Sequence, residues 1–198
     1  MSGGYVLCEY DKVKETFPQF QTIMEKLKAD LIAKAEADWK PLKYGGIDAS
    51  AGQFSETTIM PQLFADMSGT RLTTWEQWFT STGSQTILTG VGSGGTIPED
   101  FKVGVVGLAF LDPVIRVSEI KMQISDKKLP RINIEEAFCY NKPAVIFEEG
   151  FILDEETGFE LVGYILTQGP QRIKLIGTQL NRVPNKLQVT NTGAALTS

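Results

Sequence analysis

From Gly46 onward the chain is a succession of short strand-like segments, with turn residues every eight to twelve positions and no amphipathic helical segment between them. Glu119–Ser125, for example, alternates apolar and polar residues with the period of two that a half-buried strand shows. Folds with parallel sheets need a helix between successive strands, so this order argues against them. The pattern predicts a mainly β protein, specifically an antiparallel β-sandwich of jelly-roll type.

Two of the predicted strands are apolar on both faces, which indicates the middle of a sandwich or a surface covered by another chain. These are Val103–Leu111 and Phe159–Thr167. The remaining segments have the length and turn signals of ordinary strands. They are the aromatic-rich Arg71–Phe79, then Ser84–Thr89, Glu119–Ser125, the alternating residues around Ile132 and Ile134, Ala144–Leu153, Arg172–Leu180 and a last strand at Lys186–Thr190.

One amphipathic helix is predicted before the strands, over residues 16–40. Thr16 is the expected N-cap, Pro18 lies in the first turn, and Pro41 and Gly45-Gly46 end the helix. Its apolar stripe has helical spacing and needs a surface to cover it, in the same subunit or in a neighbour. The stripe consists of Phe20, Ile23, Met24, Leu27 and Leu31.

The chain of 198 residues has room for one domain with a substantial core. We therefore divide it into an N-terminal helical arm (1–45), a β-sandwich (46–190) and a small polar C-terminal tail (191–198) that we expect to be loose. Because Gly45-Gly46 lets the arm swing, we hypothesise that the helical stripe packs against another subunit. No stretch of about 18 apolar residues exists, so no transmembrane segment is expected.

The sequence contains no histidine. Catalytic triads and dyads that use histidine as the base are therefore excluded, as are histidine-ligated zinc and iron sites. We expect no enzyme activity, no catalytic residues, no metal and no cofactor. Cys8 and Cys139 are expected to be two free, buried thiols, although a disulfide between them stays open.

The stretch Gly90–Gly95 (GVGSGG) matches the G-x-G-x-x-G pattern of dinucleotide-binding proteins. In those proteins the glycines lead into a helix whose N-terminus holds the pyrophosphate. Here they lead into the apolar strand Val103–Leu111, so half of the required structure is missing. We interpret the stretch as a flexible loop between two strands, in which glycine tolerates a positive φ.

Charge is distributed unevenly along the second half of the chain. The acidic block, residues 148–160, has six acids and no base, whereas residues 161–198 have four bases and no acid. We hypothesise that Glu148, Glu149 and Asp154 of one copy meet Arg172, Lys174 and Arg182 of the next in a head-to-tail contact. Two alternatives stay open: the blocks neutralise each other within one subunit, or the acidic block is a solvated hairpin tip or a cation site.

Trp75 and Trp78 lie close together, with threonines beside them. Aromatic side chains at this spacing are typical of a core or a subunit interface, and they also suit a platform on which a sugar ring stacks. A phage-fibre or carbohydrate-binding module that uses these two tryptophans is therefore the alternative function.

The order of helix, short strands, glycine-rich loop and small polar tail resembles that of single jelly-roll viral coat proteins. The resemblance implies a virus capsid or particle-coat subunit that forms a shell from many identical copies. It further implies contacts with other virion proteins, assembly in the host cytoplasm and residence in the virion. Residues 1–45 hold seven lysines and seven acids, so we expect no strong nucleic-acid binding by this arm.

Overall fold

The computed structural model describes residues 4–39, 43–44, 47–48 and 54–182. Two six-stranded antiparallel sheets pack face to face and enclose the main core, which confirms the predicted β-sandwich. The helices lie on the outer side of one sheet. The predicted strand Lys186–Thr190 and the tail 191–198 fall outside the described residues.

The element bounds are as follows. The helices are α1 (Val13–Thr16) and α2 (Phe20–Asp38), with 3-10 turns at Tyr10–Lys12, Pro61–Leu63 and Glu135–Cys139. The strands are β1 (Tyr5–Glu9), β2 (Lys43–Tyr44), β3 (Ile47–Asp48), β4 (Phe54–Thr58), β5 (Phe64–Ala65), β6 (Glu76–Phe79), β7 (Gly83–Gly90), β8 (Phe101–Phe110), β9 (Val117–Ile124), β10 (Lys127–Lys128), β11 (Ile132–Asn133), β12 (Pro143–Leu153), β13 (Phe159–Ile165) and β14 (Gly169–Arg182).

The first sheet, which we call sheet I, has the strand order β1-β12-β8-β14-β4, and β6 pairs with the other half of β14. Sheet II has the order β10-β9-β13-β7-β5, and β11 also pairs with β9. Strands β2 and β3 form a separate two-stranded ribbon. Most partners in these sheets are far apart in sequence, so the pairing of distant segments defines the fold.

Strand β8 runs through the centre of sheet I and buries both of its faces. Val103, Val105, Leu108 and Phe110 point into the core between the sheets. Val106 and Ala109 face the opposite way, towards the helices. From the sequence, this apolar run was expected to lie either in the middle of the sandwich or at a contact with another chain. The structure shows that its own chain covers both of its faces.

Strand β13 is the centre of sheet II, and only one of its faces is covered. Phe159, Leu161 and Ile165 are buried between the sheets. On the outer face Val162 is half-buried, and Tyr164 is 51% exposed. No helix of the described residues packs on this side, which leaves the outer face of sheet II open.

The predicted helix is split into two parts. Residues 13–16 form the short α1, and α2 begins at Phe20, without a capping side chain. Thr16 therefore ends a helix and does not cap one, contrary to the prediction. The physical reason is that Phe17 directly precedes Pro18 and is therefore disfavoured in the helical region, where its φ of −130° and ψ of 82° do not lie, so the helix ends at Thr16.

Strand β1 places part of the segment before the helices in sheet I. Tyr5–Glu9 pairs antiparallel with Pro143–Phe147 of β12 at the edge of sheet I. Helix α2 therefore lies in sequence between two strands of the same sheet, β1 and β4, and the chain on each side of the helix is connected to the sandwich.

Two glycines make the seat on which α2 lies. A Cβ atom at Gly104 of β8 would stand 3.1 Å from Leu27 Cγ and Cδ2, and one at Gly150 of β12 would stand 2.9 Å from Leu27 Cδ2. The absence of side chains at these positions lets Leu27 and Leu31 reach the sheet, where they are 5% and 0% exposed. The close approach of helix and sheet thus depends on glycine.

We predict that Gly104→Ala destabilises the protein by about 1–3 kcal/mol, because the new methyl group overpacks the contact with Leu27. Leu27→Ala alone should cost about 2–5 kcal/mol through the cavity that it leaves. In the double variant the alanine methyl at position 104 enters that cavity, so the combined loss in urea unfolding should be smaller than the sum. Strict additivity would show that Leu27 does not lie on Gly104.

Candidate functional site

The predicted helical stripe packs on sheet I of its own chain. Leu27 and Leu31 are buried, and Phe20, Ile23 and Met24 are partly buried against the same cluster. In the single chain these side chains already have a covering surface. Phe20 and Met24 also line a shallow groove of about 260 Å3 beside β4, so they are the part of the stripe that a neighbour can still reach.

The end of α2 is anchored by a buried lysine. Lys102, at the start of β8, is 2% exposed and donates hydrogen bonds to Asp154 Oδ1 at 2.6 Å and Asp38 Oδ2 at 2.7 Å. Its Nζ lies 3.7 Å from Glu155 Oε1 and 5.4 Å from the centre of the Trp39 ring. We call Lys102, Asp38, Trp39, Asp154 and Glu155 the lysine cluster. It joins the helix, a strand of sheet I and the turn before β13.

Lys102 and Asp154 of the lysine cluster stay charged because their hydrogen bonds outweigh the effect of burial on their pKa values. Burial by itself lowers the pKa of Lys102, but the hydrogen bonds to Asp154 and Asp38 outweigh this effect and raise the pKa above its ordinary value. Burial likewise raises the pKa of Asp154, but hydrogen bonds from Lys102 and Lys34 outweigh it and lower the pKa. Both groups therefore remain charged at neutral pH.

The three basic residues of the predicted head-to-tail contact also have partners in their own chain, and these partners lie outside the acidic block. Arg172 pairs with Glu76 on β6 at 3.0 Å, and Arg182 lies 3.7 Å from Asp100. Lys174 Nζ sits 5.9 Å from the centre of the Tyr10 ring. Glu148 and Glu149 are exposed at the irregularity of β12, away from the lysine cluster's carboxylates. The six residues predicted to mediate a head-to-tail contact are thus spread over several surfaces.

The two tryptophans lie on opposite sides of the chain. Trp75 packs against the core, with its ring 5.9 Å from that of Phe64. Trp78 lies opposite Pro170 on the outer side of β6 and is 64% exposed. They therefore do not form a joint stacking platform, and Trp78 stands alone as an exposed aromatic residue.

Trp78 lies at the end of the sandwich where β6 pairs with the start of β14, which follows β13 in the chain. Three further large apolar side chains are exposed in these segments or in the adjoining loop 111–116: Val114 (58%), Tyr164 (51%) and Leu166 (41%). Arg116 connects the segments, since its guanidinium donates hydrogen bonds to Thr167 Oγ1 and to the carbonyl oxygens of Gln168 and Pro170. We call Trp78, Val114, Tyr164 and Leu166 the apolar corner.

The glycine stretch forms a closed turn between β7 and β8. The Gly92 N–H donates to the Thr96 carbonyl at 2.7 Å, and the Gly95 N–H donates to the Gly92 carbonyl at 3.0 Å. Gly94 and Gly95 have φ angles of 71° and 78°, which explains the need for glycine. The chain then enters a strand and not a helix, as the sequence predicted.

This glycine turn borders a concavity of about 670 Å3 at the end of sheet II. Hydroxyl and carboxylate groups line it, but two of the carboxylates already have partners in the chain. Asp66 accepts hydrogen bonds from the Ser68 and Thr70 N–H groups, and Glu160 accepts one from the Thr86 hydroxyl. The concavity is therefore a polar surface whose charged groups are largely satisfied.

The two cysteines are not bonded to each other. Cys8 is buried in β1, and burial raises the pKa of its thiol. Cys139 is exposed, which corrects the expectation of two buried thiols. The reason is its place in the 3-10 turn Glu135–Cys139, of which only Ala137 is buried.

The lysine cluster was not predicted from the sequence, although one signal for it was present. Lys102 stands directly before the apolar run Val103–Phe110, where a strand that is buried on both faces has no room for an unpaired charge. Its partners Asp38 and Asp154 are 64 and 52 residues away, so only the fold brings them together.

Among the residues that the structure describes, no helix is both long enough and apolar enough to cross a membrane. Comparison of the chain with protein-family models, with curated proteins and with solved structures found no match.

We predict that Lys102→Met lowers the free energy of unfolding by about 2 kcal/mol at pH 7, less than the 3–5 kcal/mol of a fully buried pair because the carboxylates are partly exposed. The difference from wild type should shrink towards both pH extremes. As the pH falls below about 4 and approaches the lowered pKa of Asp154, the gain from that lowered pKa is progressively lost. As the pH rises above about 10.5 and approaches the raised pKa of Lys102, the gain from that raised pKa is progressively lost.

Urea unfolding at pH 3, 7 and 11 measures this dependence. Lys34→Met is the matched control, because Lys34 also pairs with Asp154 but is 43% exposed. It should change stability by less than about 1 kcal/mol. A Lys102→Met variant as stable as wild type at pH 7 would contradict the anchoring role of the cluster.

Proposed function

We propose that this chain is a self-assembling structural subunit of a virus capsid or particle coat, and that its sandwich is of jelly-roll type. The observation that carries the proposal is the order in which the strands pair. The apolar corner supplies a surface for association between copies. We place the assembled protein in the virion and its assembly in the host cytoplasm.

The strand pairing is nested. With β1 to β3 and the short β5 and β6 set aside, the remaining strands occupy eight positions along the chain: β4, β7, β8, β9, the short β10 and β11 together, β12, β13 and β14. The first pairs with the eighth, the second with the seventh, the third with the sixth and the fourth with the fifth. A long antiparallel ribbon folded over on itself gives this order. It supports a jelly roll, in which two Greek keys form two sheets.

A fold alone does not assign a function, so the surface has to support the proposal as well. Helix α2 covers the outer face of sheet I, whereas sheet II and the apolar corner have no cover among the described residues. Exposed large apolar side chains of this kind are candidates for protein contacts. Trp78 is the strongest candidate for an anchor, since tryptophan is enriched among residues that dominate interface energies.

A carbohydrate-binding module, the alternative, would have to use Trp78 without Trp75, because the two tryptophans do not face the same side. The number of copies in the assembly distinguishes a fibre module from a coat. Fibre subunits associate in small closed sets, whereas a coat associates into a closed shell of many copies.

We predict that the purified full-length chain forms particles of megadalton mass. Size-exclusion chromatography with light scattering and negative-stain microscopy measure this directly, over a range of salt and protein concentrations. Closed particles of uniform size support a coat. A stable trimer at every concentration points to a fibre module, and a protein that stays monomeric throughout contradicts self-assembly.

We further predict that Trp78→Ser with Leu166→Ser leaves the melting temperature nearly unchanged, because both side chains are exposed in the single chain. Assembly should need at least tenfold more protein, since about 1.4 kcal/mol of lost contact energy per subunit already gives this factor. Met67→Ser is the matched control, as Met67 is 46% exposed in a loop at another surface. Equal assembly of the double variant and the control would exclude the apolar corner as an interface.

A further inference from the structure

Strand β1 is a sheet edge with little of the protection that edge strands usually carry. It begins Tyr5-Val6-Leu7-Cys8, its one charged residue is Glu9 at the end of the strand, and its register with β12 is regular over all five residues. The other edge strands of the described sheets are shorter, more polar or more highly charged. Strand β10 is Lys127–Lys128, β4 is polar after Phe54 and has a glutamate at its centre, β6 has four residues and begins with a glutamate, and β5 and β11 have two residues each. An apolar, regular edge strand is a template for another strand.

The backbone of β1 offers hydrogen bonds on its open side. Gly4 and Tyr10, at the two ends of the ladder, bond to Glu148 and Lys142 of β12. Because alternate residues of an antiparallel strand bond to the same neighbour, the N–H and C=O groups of Tyr5 and Leu7 point away from β12. These groups lie at the free edge of sheet I.

A hollow of about 590 Å3 lies beside this edge, between β1 and the turn Glu135–Cys139. Tyr5, Leu7 and Tyr140 provide its apolar lining, and Glu135 and Glu136 provide negative charge. An occupant that fits is an extended segment with apolar residues and a positive charge. A second copy of β1 fits poorly, because it brings another Glu135 and Glu136 to the same place.

We propose that residues 186–190 of a second copy add to β1 as a further strand of sheet I. The inference rests on the proposed function and names the segment that mediates it. The segment, Lys-Leu-Gln-Val-Thr, alternates apolar and polar residues, has the five-residue length of β1 and carries a lysine. No acid follows Glu160 in the chain, so nothing in the segment opposes Glu135 and Glu136. Addition of a strand to a free edge is a general mode of recognition.

Geometry favours a second copy over the same chain. From β14 to a strand beside β1 there are four strand spacings, about 19 Å. Arg182 and the middle of β1 are also about seven residues apart along the strands, or about 23 Å. The straight-line separation is therefore about 30 Å. Gln188, the middle of the segment, is six residues beyond Arg182 and reaches at most about 21 Å from it.

Photo-crosslinking in the full-length chain tests the proposal. Tyr5 is replaced by a benzoyl-phenylalanine, and this chain is assembled with an equal amount of nitrogen-15-labelled wild-type chain. The expected product joins position 5 of the unlabelled copy to a labelled peptide within residues 183–198. Crosslinks confined to one copy, or directed to another segment, overturn the proposal.

A pair of full-length variants gives a second measurement. Leu187→Asp with Val189→Asp should raise the concentration needed for assembly at least tenfold. Thr192→Asp with Ala195→Asp adds the same charge outside the segment and should leave that concentration within twofold of wild type. Equal behaviour of the two variants overturns the strand addition while the proposed coat function stands. If wild type itself never associates, both proposals fail.

Discussion

The need to bury both faces of β8 governs this structure. Strand β8 carries apolar side chains on both faces, so neither face can border water. One face carries Val103, Val105, Leu108 and Phe110, and the other carries Val106 and Ala109. Sheet II covers the first side and the helices cover the second. Burial of apolar area stabilises at about 25 cal/mol per Å2, so loss of either cover exposes a large part of the core. Helix α2 is therefore a structural layer of the subunit.

The lysine cluster and the two glycines that contact α2 both serve that requirement. The helix must approach sheet I closely, which Gly104 and Gly150 allow, and its end must be fixed, which Lys102 does through Asp38. With β1 before it and β4 after it in the same sheet, α2 is held at three places. Under the proposed function, the surfaces left for contact between copies are then the apolar corner, the outer face of sheet II and the β1 edge.

The sequence predicted the strands well because their period-two pattern and turn residues are local signals. Val103–Leu111, Ala144–Leu153 and Phe159–Thr167 all correspond to strands within a few residues. The place of the helix could not be predicted, because the surface that covers Leu27 and Leu31 is formed by distant strands. β1 was missed for a related reason: five residues before a helical segment give little signal without their partner β12. The partners of individual charges within the chain could not be predicted from the charged blocks, because the fold brings them together, as it does Asp154 with Lys102 and Arg172 with Glu76.

The central claim is that the helix belongs to the subunit and that other surfaces join the copies. Hydrogen–deuterium exchange of the free subunit and of the assembled protein tests it most directly. The account predicts that amides between Leu27 and Ala35 are protected already in the free subunit and do not change on assembly, whereas those of Tyr5 and Leu7 and of the Tyr164–Pro170 segment gain protection. If the helix exchanges at the rate of an unfolded chain in the free subunit and becomes protected only on assembly, it is a swinging arm and the account is contradicted.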